Sequence, residues 1–506
     1  MSERVPAPPA PGPLEDYATL FDPLFSDVAQ RRGFRQYLQG LLLPRDRNKT
    51  LTGVAGAEPN TQAQAPPVQS LQFFLSESTW DVKQVTQQRL ALLFTDPPTR
   101  PHEEGVLIID ETGDRKHGTK TAHVARQYLG SVGKVDNGIV AVTSLWADER
   151  IYFPLHVEPY EPAGRLPKGK KDPAFRTKPK IGMALVDAAL ALGLGFRAVV
   201  ADCTDGESAA FEGALWEAGL PYVVGLKPSH GTWAPEEDPH TPKEAVQAMP
   251  FNGPDDPGEW VAVERRFRDG HTETWWAAEL TLGGYGPEKP ARLVVATTDP
   301  LTLPEVSTWY LATNLPRPGS TQEGEWPVEA ADLSEVVRLY GLRNWVEQSY
   351  KQAKQELGWA DFQVRGDVAI RRHWELVCCA FCFCWWARLR SPNEPATERQ
   401  EPKPIHPVGA CVDVPEPNRP VPEAEEAVGG KRRGRSACLP ADRRARGQEL
   451  LARGAAPSEE LASALAVPLA VLAGVERCAP AAAPPGATGC CGHGSASRPV
   501  SPVLTK

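Results

Sequence analysis

The sequence predicts an α/β protein in which a mixed sheet is covered by helices, with a helical region before it and a β-rich block inside it. Three observations carry this. VLIID (106–110) and FRAVVAD (196–202) are apolar runs of buried-strand length, and each ends in an aspartate. Helical apolar spacing separates the later strands, which forces them to add in parallel. Between 228 and 305 the pattern turns all-β, with Asp269-Gly270 as a hairpin signal.

With 506 residues, 41% hydrophobic and 24% charged, the chain can bury a large core and hold several domains. A net charge of −9 argues against a uniformly basic nucleic-acid coat but leaves room for local basic patches. The N-terminus, MSERVPAPPAPGPLEDY, is acidic and Pro-rich without an apolar core, so it does not read as a signal peptide. A cytoplasmic, nucleoid-associated protein is expected. The longest apolar run, LVCCAFCFCWWA (376–387), is too short to span a bilayer and reads as a buried helix, so no membrane role is indicated. Its four cysteines (Cys378, Cys379, Cys382, Cys384) read as buried thiols rather than zinc ligands.

Taken in order, residues 1–14 form a Pro-rich leader expected to be disordered. Residues 15–100 read as a small helical domain, with helices in 27–42 and 78–94, the second capped by Ser78 or Thr79. Its Arg31, Arg32, Arg35, Arg45 and Arg47 make DNA contact plausible beside the alternative of an accessory bundle. The first part of the core, 101–227, runs VLIID, GIVAVTSLWA (138–147), RIYFPLHVEPY (150–160), helix 180–195, FRAVVAD, helix 207–219 and PYVVGLK (221–227). The first three strands can form an antiparallel meander. Block 228–305 reads as an inserted β subdomain with a third strand at ARLVVATT (291–298). The second core part, 306–391, contributes strand TWYLATNL (308–315) and one long helix, 336–358, ending at Gly358. From 392 to 506 the composition is low-complexity and expected to be mostly disordered, with a basic cluster KRRGR (431–435).

The chemistry gathers on three carboxylates. Strands that end side by side place Asp110 and Asp202 together, an arrangement that is costly without a cation between them. In YGLRNWVEQSYKQAK (340–354), Tyr340, Arg343, Glu347 and Lys354 project to roughly 0°, 300°, 340° and 320° on a helix, one narrow stripe. Alone, the stripe suits a solvated helix face. With Glu347 turned toward Asp110 and Asp202, it suits a carboxylate triad that holds Mg2+ for phosphodiester chemistry. Each aspartate also has a bland reading as a turn residue, since ETGD follows one and CTDG the other. Asp114, Asp205 and Glu207 compete for nearby roles.

These residues resemble the DDE transposases of bacterial insertion sequences, in the group with a Y-x2-R-x3-E-x6-K signature. Tyr340, Arg343, Glu347 and Lys354 fit that signature at every spacing. IIDETGDRKHGTKTAHVARQYLGSVGKVDNG (108–138) and AVVADCTDGESAAFEGALWEAGLPYVVGLK resemble the family's two aspartate blocks, although CTDGE departs from the small and Gly-rich residues usual there. The resemblance spans about residues 30–390. It implies a ribonuclease-H-like fold, with Asp110, Asp202 and Glu347 as catalytic metal ligands for Mg2+, or Mn2+ in its place. It further implies cleavage of double-stranded DNA at terminal inverted repeats, joining to target DNA, and a homodimer in the synaptic complex. Phosphate contacts fall to Tyr340, Arg343 and Lys354, with Lys351, Lys120 and Arg126 as further DNA-binding candidates and Trp275 or Trp276 as a platform for a flipped base. The loops 115–120 and 165–180 would grip the DNA backbone. Two other classes compete: a catalytically silent DNA-binding protein derived from a transposase, and a carboxylate-pair hydrolase such as a glycosidase, which leaves the Arg and Lys positions unexplained.

Overall fold

In the computed structural model, the described residues are 6–44, 47–202, 209–229, 241–267, 270–281, 291–324 and 328–390. The low-complexity segment 392–506 and the competitors Asp205 and Glu207 lie outside them. The N-terminal region folds into α1 (Pro13–Thr19), α2 (Val28–Leu42), α3 (Leu51–Val54), α4 (Pro66–Ser76) and α5 (Val82–Thr95). Helix α1 begins inside the expected leader, with Pro13 in its first turn and Leu14 buried. The N-cap of α5 is Asp81, whose side chain accepts from the Lys83 amide, so neither Ser78 nor Thr79 serves.

The sheet is built from β1 (Val106–Arg115), β2 (Ala125–Leu129), β3 (Lys134–Ala147), β4 (Tyr152–Pro159), β5 (Ala198–Ala201), β6 (Tyr222–Gly225), β7 (Val261–Arg266), β8 (Thr272–Thr281), β9 (Arg292–Thr297) and β10 (Thr308–Thr313). Helices α6 (Lys178–Ala191) and α7 (Ala209–Glu217) connect β4 to β5 and β5 to β6, and α8 (Pro242–Gln247) precedes β7. Strand order is β2-β3-β1-β5-β6-β10-β9-β8-β7, with β4 also paired to β3. Strands β1, β5 and β6 run parallel while β3 and β4 run antiparallel, as the helix crossovers and the meander predict. This is a mixed α/β fold with a large mixed sheet flanked by helices, consistent with a ribonuclease-H-like core. The β-rich block contributes β7, β8 and β9, which continue the same sheet through β10. Gly270, at φ 90, occupies the turn between β7 and β8.

Two local expectations are corrected. Strand β1 does not stop at Asp110: Glu111–Arg115 pair with Val142–Gly138 of β3, and that ladder overrides the turn-forming composition of ETGD. The expected single helix 336–358 is two, α9 (Leu333–Leu342) and α10 (Asn344–Gln355), meeting at Arg343. Around that joint the amides of Arg343 and Val346 donate to carbonyls only three residues back, at 3.0 Å each, so the winding tightens.

Helix α11 (Asp367–Leu389) carries the cysteine-rich run and is buried along most of its length. It packs on α2, α4, α5 and β4, so the N-terminal helices share one hydrophobic core with the sheet. Burial pushes the Cys382 and Cys384 thiols up to about 11 and about 12, as suits inert core residues. Among the described residues no helix is long and apolar enough to cross a membrane.

Candidate active site

The register that pairs Ile109 with Ala201 carries Asp110 and Asp202 onto neighbouring parallel strands, side by side. Asp110 lies within β1 and Asp202 directly follows β5. Glu347 occupies the first turn of α10, which the stacking of Trp345 on Tyr152, with centroids 4.7 Å apart, holds against β4. All three carboxylates surround one atom: Nη2 of Arg343 lies 2.8 Å from Asp202 Oδ2, 3.2 Å from Asp110 Oδ2 and 3.6 Å from Glu347 Oε1. The cation that two adjacent carboxylates require is therefore supplied by the protein.

Burial pushes the Asp110 carboxyl up to about 7, with Arg343 opposing and the negative charges of Glu347 and Asp202 reinforcing the rise. Burial works against the charge of Arg343, but Asp110 and Asp202 outweigh it and hold the guanidinium protonated more firmly than usual. Tyr350 completes the wall: its phenol shares a hydrogen bond of 2.6 Å with the Thr143 hydroxyl, and burial next to Asp110 raises its pKa well above the usual value. The sequence reading missed Tyr350, although its place three residues after Glu347 and four before Lys354 puts it on the same stripe.

The remaining predicted residues divide by surroundings. Lys354 Nζ is 2.8 Å from Asp114 Oδ1 and donates to the Gly113 carbonyl, fastening α10 to β1. Tyr340 packs edge-on against Trp309. Lys351, Lys120 and Arg126 are exposed. Trp275 is buried, contacts Trp309 and lies under the Arg265 guanidinium, while Trp276, on the opposite face of β8, packs on Phe251. Trp275 belongs to the apolar cluster on one side of the sheet, whereas Trp276 is only partly buried against the cluster on the other.

The proposed DNA-contacting arginines are corrected in part. Arg35 is buried between Glu15 and Asp22, Arg31 is buried against the Phe25 carbonyl, and Arg47 donates to the Ala57 carbonyl. Arg32 is exposed and Arg45 lies outside the described residues. In the basic loops, Lys116 donates to the carbonyls of Ala360 and Phe362, Arg176 pairs with Glu158, and Lys178 with Glu111. Lys168, Lys170, Lys171 and Lys180 remain exposed.

Among the described residues, the side chains paired with this cation present carboxylate oxygens, the donors that hard ions such as Mg2+ and Mn2+ take. Among the described residues no three Asp, Glu, His or Cys side chains are grouped tightly enough to hold an ion as placed. Ligand oxygens lie at about 2.1 Å from Mg2+, so the three carboxylates would draw in by about 1 Å around an ion in place of the guanidinium nitrogen. The donor chemistry fits.

A family profile described as DDE superfamily endonuclease matches residues 20–280, and the chain belongs to that family. The match includes Asp110 and Asp202 and ends before Glu347. A probable transposase for insertion sequence element IS701 from Microchaete diplosiphon is 34% identical over 367 residues, covering 72% of this chain and 85% of the relative.

Proposed function

We propose that the protein is an insertion-sequence transposase that cleaves DNA at the element's ends and joins them to target DNA, using Asp110, Asp202 and Glu347 as metal ligands. The observation that carries this reading is the convergence of those carboxylates, from two parallel strands and the following helix, on one cationic nitrogen. Divalent ions held there would activate the attacking hydroxyl and stabilise the leaving oxygen of an in-line displacement at phosphorus. Asp110 within β1 and Asp202 just past the end of β5 fix two corners of the site, and Glu347 closes it from α10. Lys354 and Tyr350 hold α10 to β1 and β3 and so set the reach of Glu347. Lys351, Lys120, Arg126 and the exposed lysines of loop 165–180 would meet the DNA backbone, with affinity falling steeply as salt rises. A homodimer would bring two element ends together.

Purified protein incubated with Mg2+ and DNA carrying the element's terminal repeats should nick at the repeat ends. Undiminished nicking by Asp110→Asn or Glu347→Gln would sink the assignment. Binding of the repeats without nicking in Mg2+ or Mn2+ would instead support a silent DNA-binding descendant.

A further inference from the structure

Arg343 sits where a cation belongs, but its bonding there is incomplete. One nitrogen takes all three carboxylate contacts, while its buried Nε has no hydrogen-bond partner. A guanidinium pairs best through two parallel bonds to one carboxylate or phosphate, and the distances here show no such fork. Its backbone is the joint between α9 and α10, where hydrogen bonds run three residues back. The contact to Glu347 is the longest, and the Glu347 side chain is 58% exposed, so the cluster is open on that side.

We propose that Arg343 is a displaceable counter-cation: it holds Asp110, Asp202 and Glu347 together when no divalent ion is bound, and it must leave before an ion can take the same oxygens. The inference rests on the reading of these three residues as the ligands. The guanidinium and the ion compete for one seat, so the apparent metal affinity is reduced by the fraction of molecules in which Arg343 has moved away. An external anion that receives the guanidinium, such as a DNA phosphate, favours the vacated arrangement. Metal and DNA then strengthen each other's binding by the same factor.

Titrating Mn2+ with the DNA-free, full-length protein and following the free ion by electron paramagnetic resonance tests this directly. Arg343→Gln should bind Mn2+ at least tenfold more tightly than the unaltered protein, and adding Asp110→Asn to it should abolish the gain. Arg343→Lys, which keeps the charge but not the planar group, should show a smaller gain. Thermal melts give a second readout, because removing Arg343 leaves three carboxylates facing one another: Arg343→Gln should melt lower than the unaltered protein in EDTA and recover with Mn2+. Mn2+ affinity of Arg343→Gln equal to or below that of the unaltered protein would overturn the proposal. Should that variant not fold in either condition, a folded Arg343→Lys that binds no more tightly overturns it equally. Cleavage surviving in Asp110→Asn removes the ligand assignment itself, whereas loss of cleavage in Asp110→Asn with unchanged Mn2+ binding in the Arg343 variants removes only the counter-cation.

Discussion

Two arginines, the fully buried Arg89 and the partly buried Arg343, face carboxylates in the same molecule and are treated very differently. Arg89 directs Nε and Nη2 to Glu375, Nη1 to the Pro154 carbonyl and Nη2 also to that of Leu155, so all three nitrogens are engaged. Arg343 crowds three carboxylates onto one nitrogen and leaves Nε unpaired. Desolvated charges with complete bonding hold a core together. A largely desolvated guanidinium with incomplete bonding among three carboxylates is what the proposed exchange with a metal ion requires.

The largest effect expected is at the satisfied site. Arg89→Met strands Glu375 in the core and should cost about 3–5 kcal/mol in denaturant unfolding, the usual loss when one partner of a buried pair is removed. A smaller loss would mean that Glu375 escapes to solvent. At the incomplete site the effect should fall on activity instead. Asp202→Asn or Glu347→Gln should lower end cleavage by roughly 100- to 1000-fold, the scale of one lost electrostatic partner at a reacting centre, with little change in melting temperature.

pH separates the same two regions. Burial lowers His156 and His373 to about 4, so below 6.5 the unfolded chain takes up protons that the folded one refuses. Their joint contribution falls by on the order of 2 kcal/mol between pH 7.5 and 5.5. Asp110 acts in the opposite sense: its folded carboxyl titrates near 7, above the unfolded value, and its proton uptake adds stability as pH falls through that range. Asp110→Asn, neutral at every pH, should therefore be more stable than the unaltered protein at pH 8 and lose that advantage as pH falls through 7, as melts across the range would show. The smallest effect belongs to the exposed surface. Lys351→Ala should leave folding within about 0.5 kcal/mol and reduce the salt dependence of DNA binding by about one phosphate contact.

Much of this was legible in advance because burial writes periodic patterns. Apolar strand runs and helical spacing located β1, β3, β5, β6, α6 and α10, and the parallel crossover placed Asp110 beside Asp202. What escaped depends on partners distant in the chain. ETGD has the composition of a turn, and only its ladder with β3 makes it strand. Strand β2 went unread because ARQYL is half exposed at a sheet edge and lacks an apolar face. The break at Arg343 has no proline to announce it. A positive side chain does not declare whether it will meet a phosphate or a carboxylate: Arg31 and Arg35, read as DNA contacts, are buried against the Phe25 carbonyl and against Glu15 and Asp22, while Arg343 and Lys354, read toward phosphates in the cleft, contact carboxylates there.

Helix α11 has a consequence for the order in which the protein can be made. Tyr37 on α2 hydrogen-bonds to His373, 336 residues later, and the core around Phe34, Tyr37 and Leu38 is closed by α11. At about 5–20 residues per second, a ribosome delivers that cover tens of seconds after the helices that need it. Through that interval the first helices expose an apolar face with no native neighbour, a window in which a chaperone or a second nascent chain can claim it, and a chain released before residue 367 never closes it.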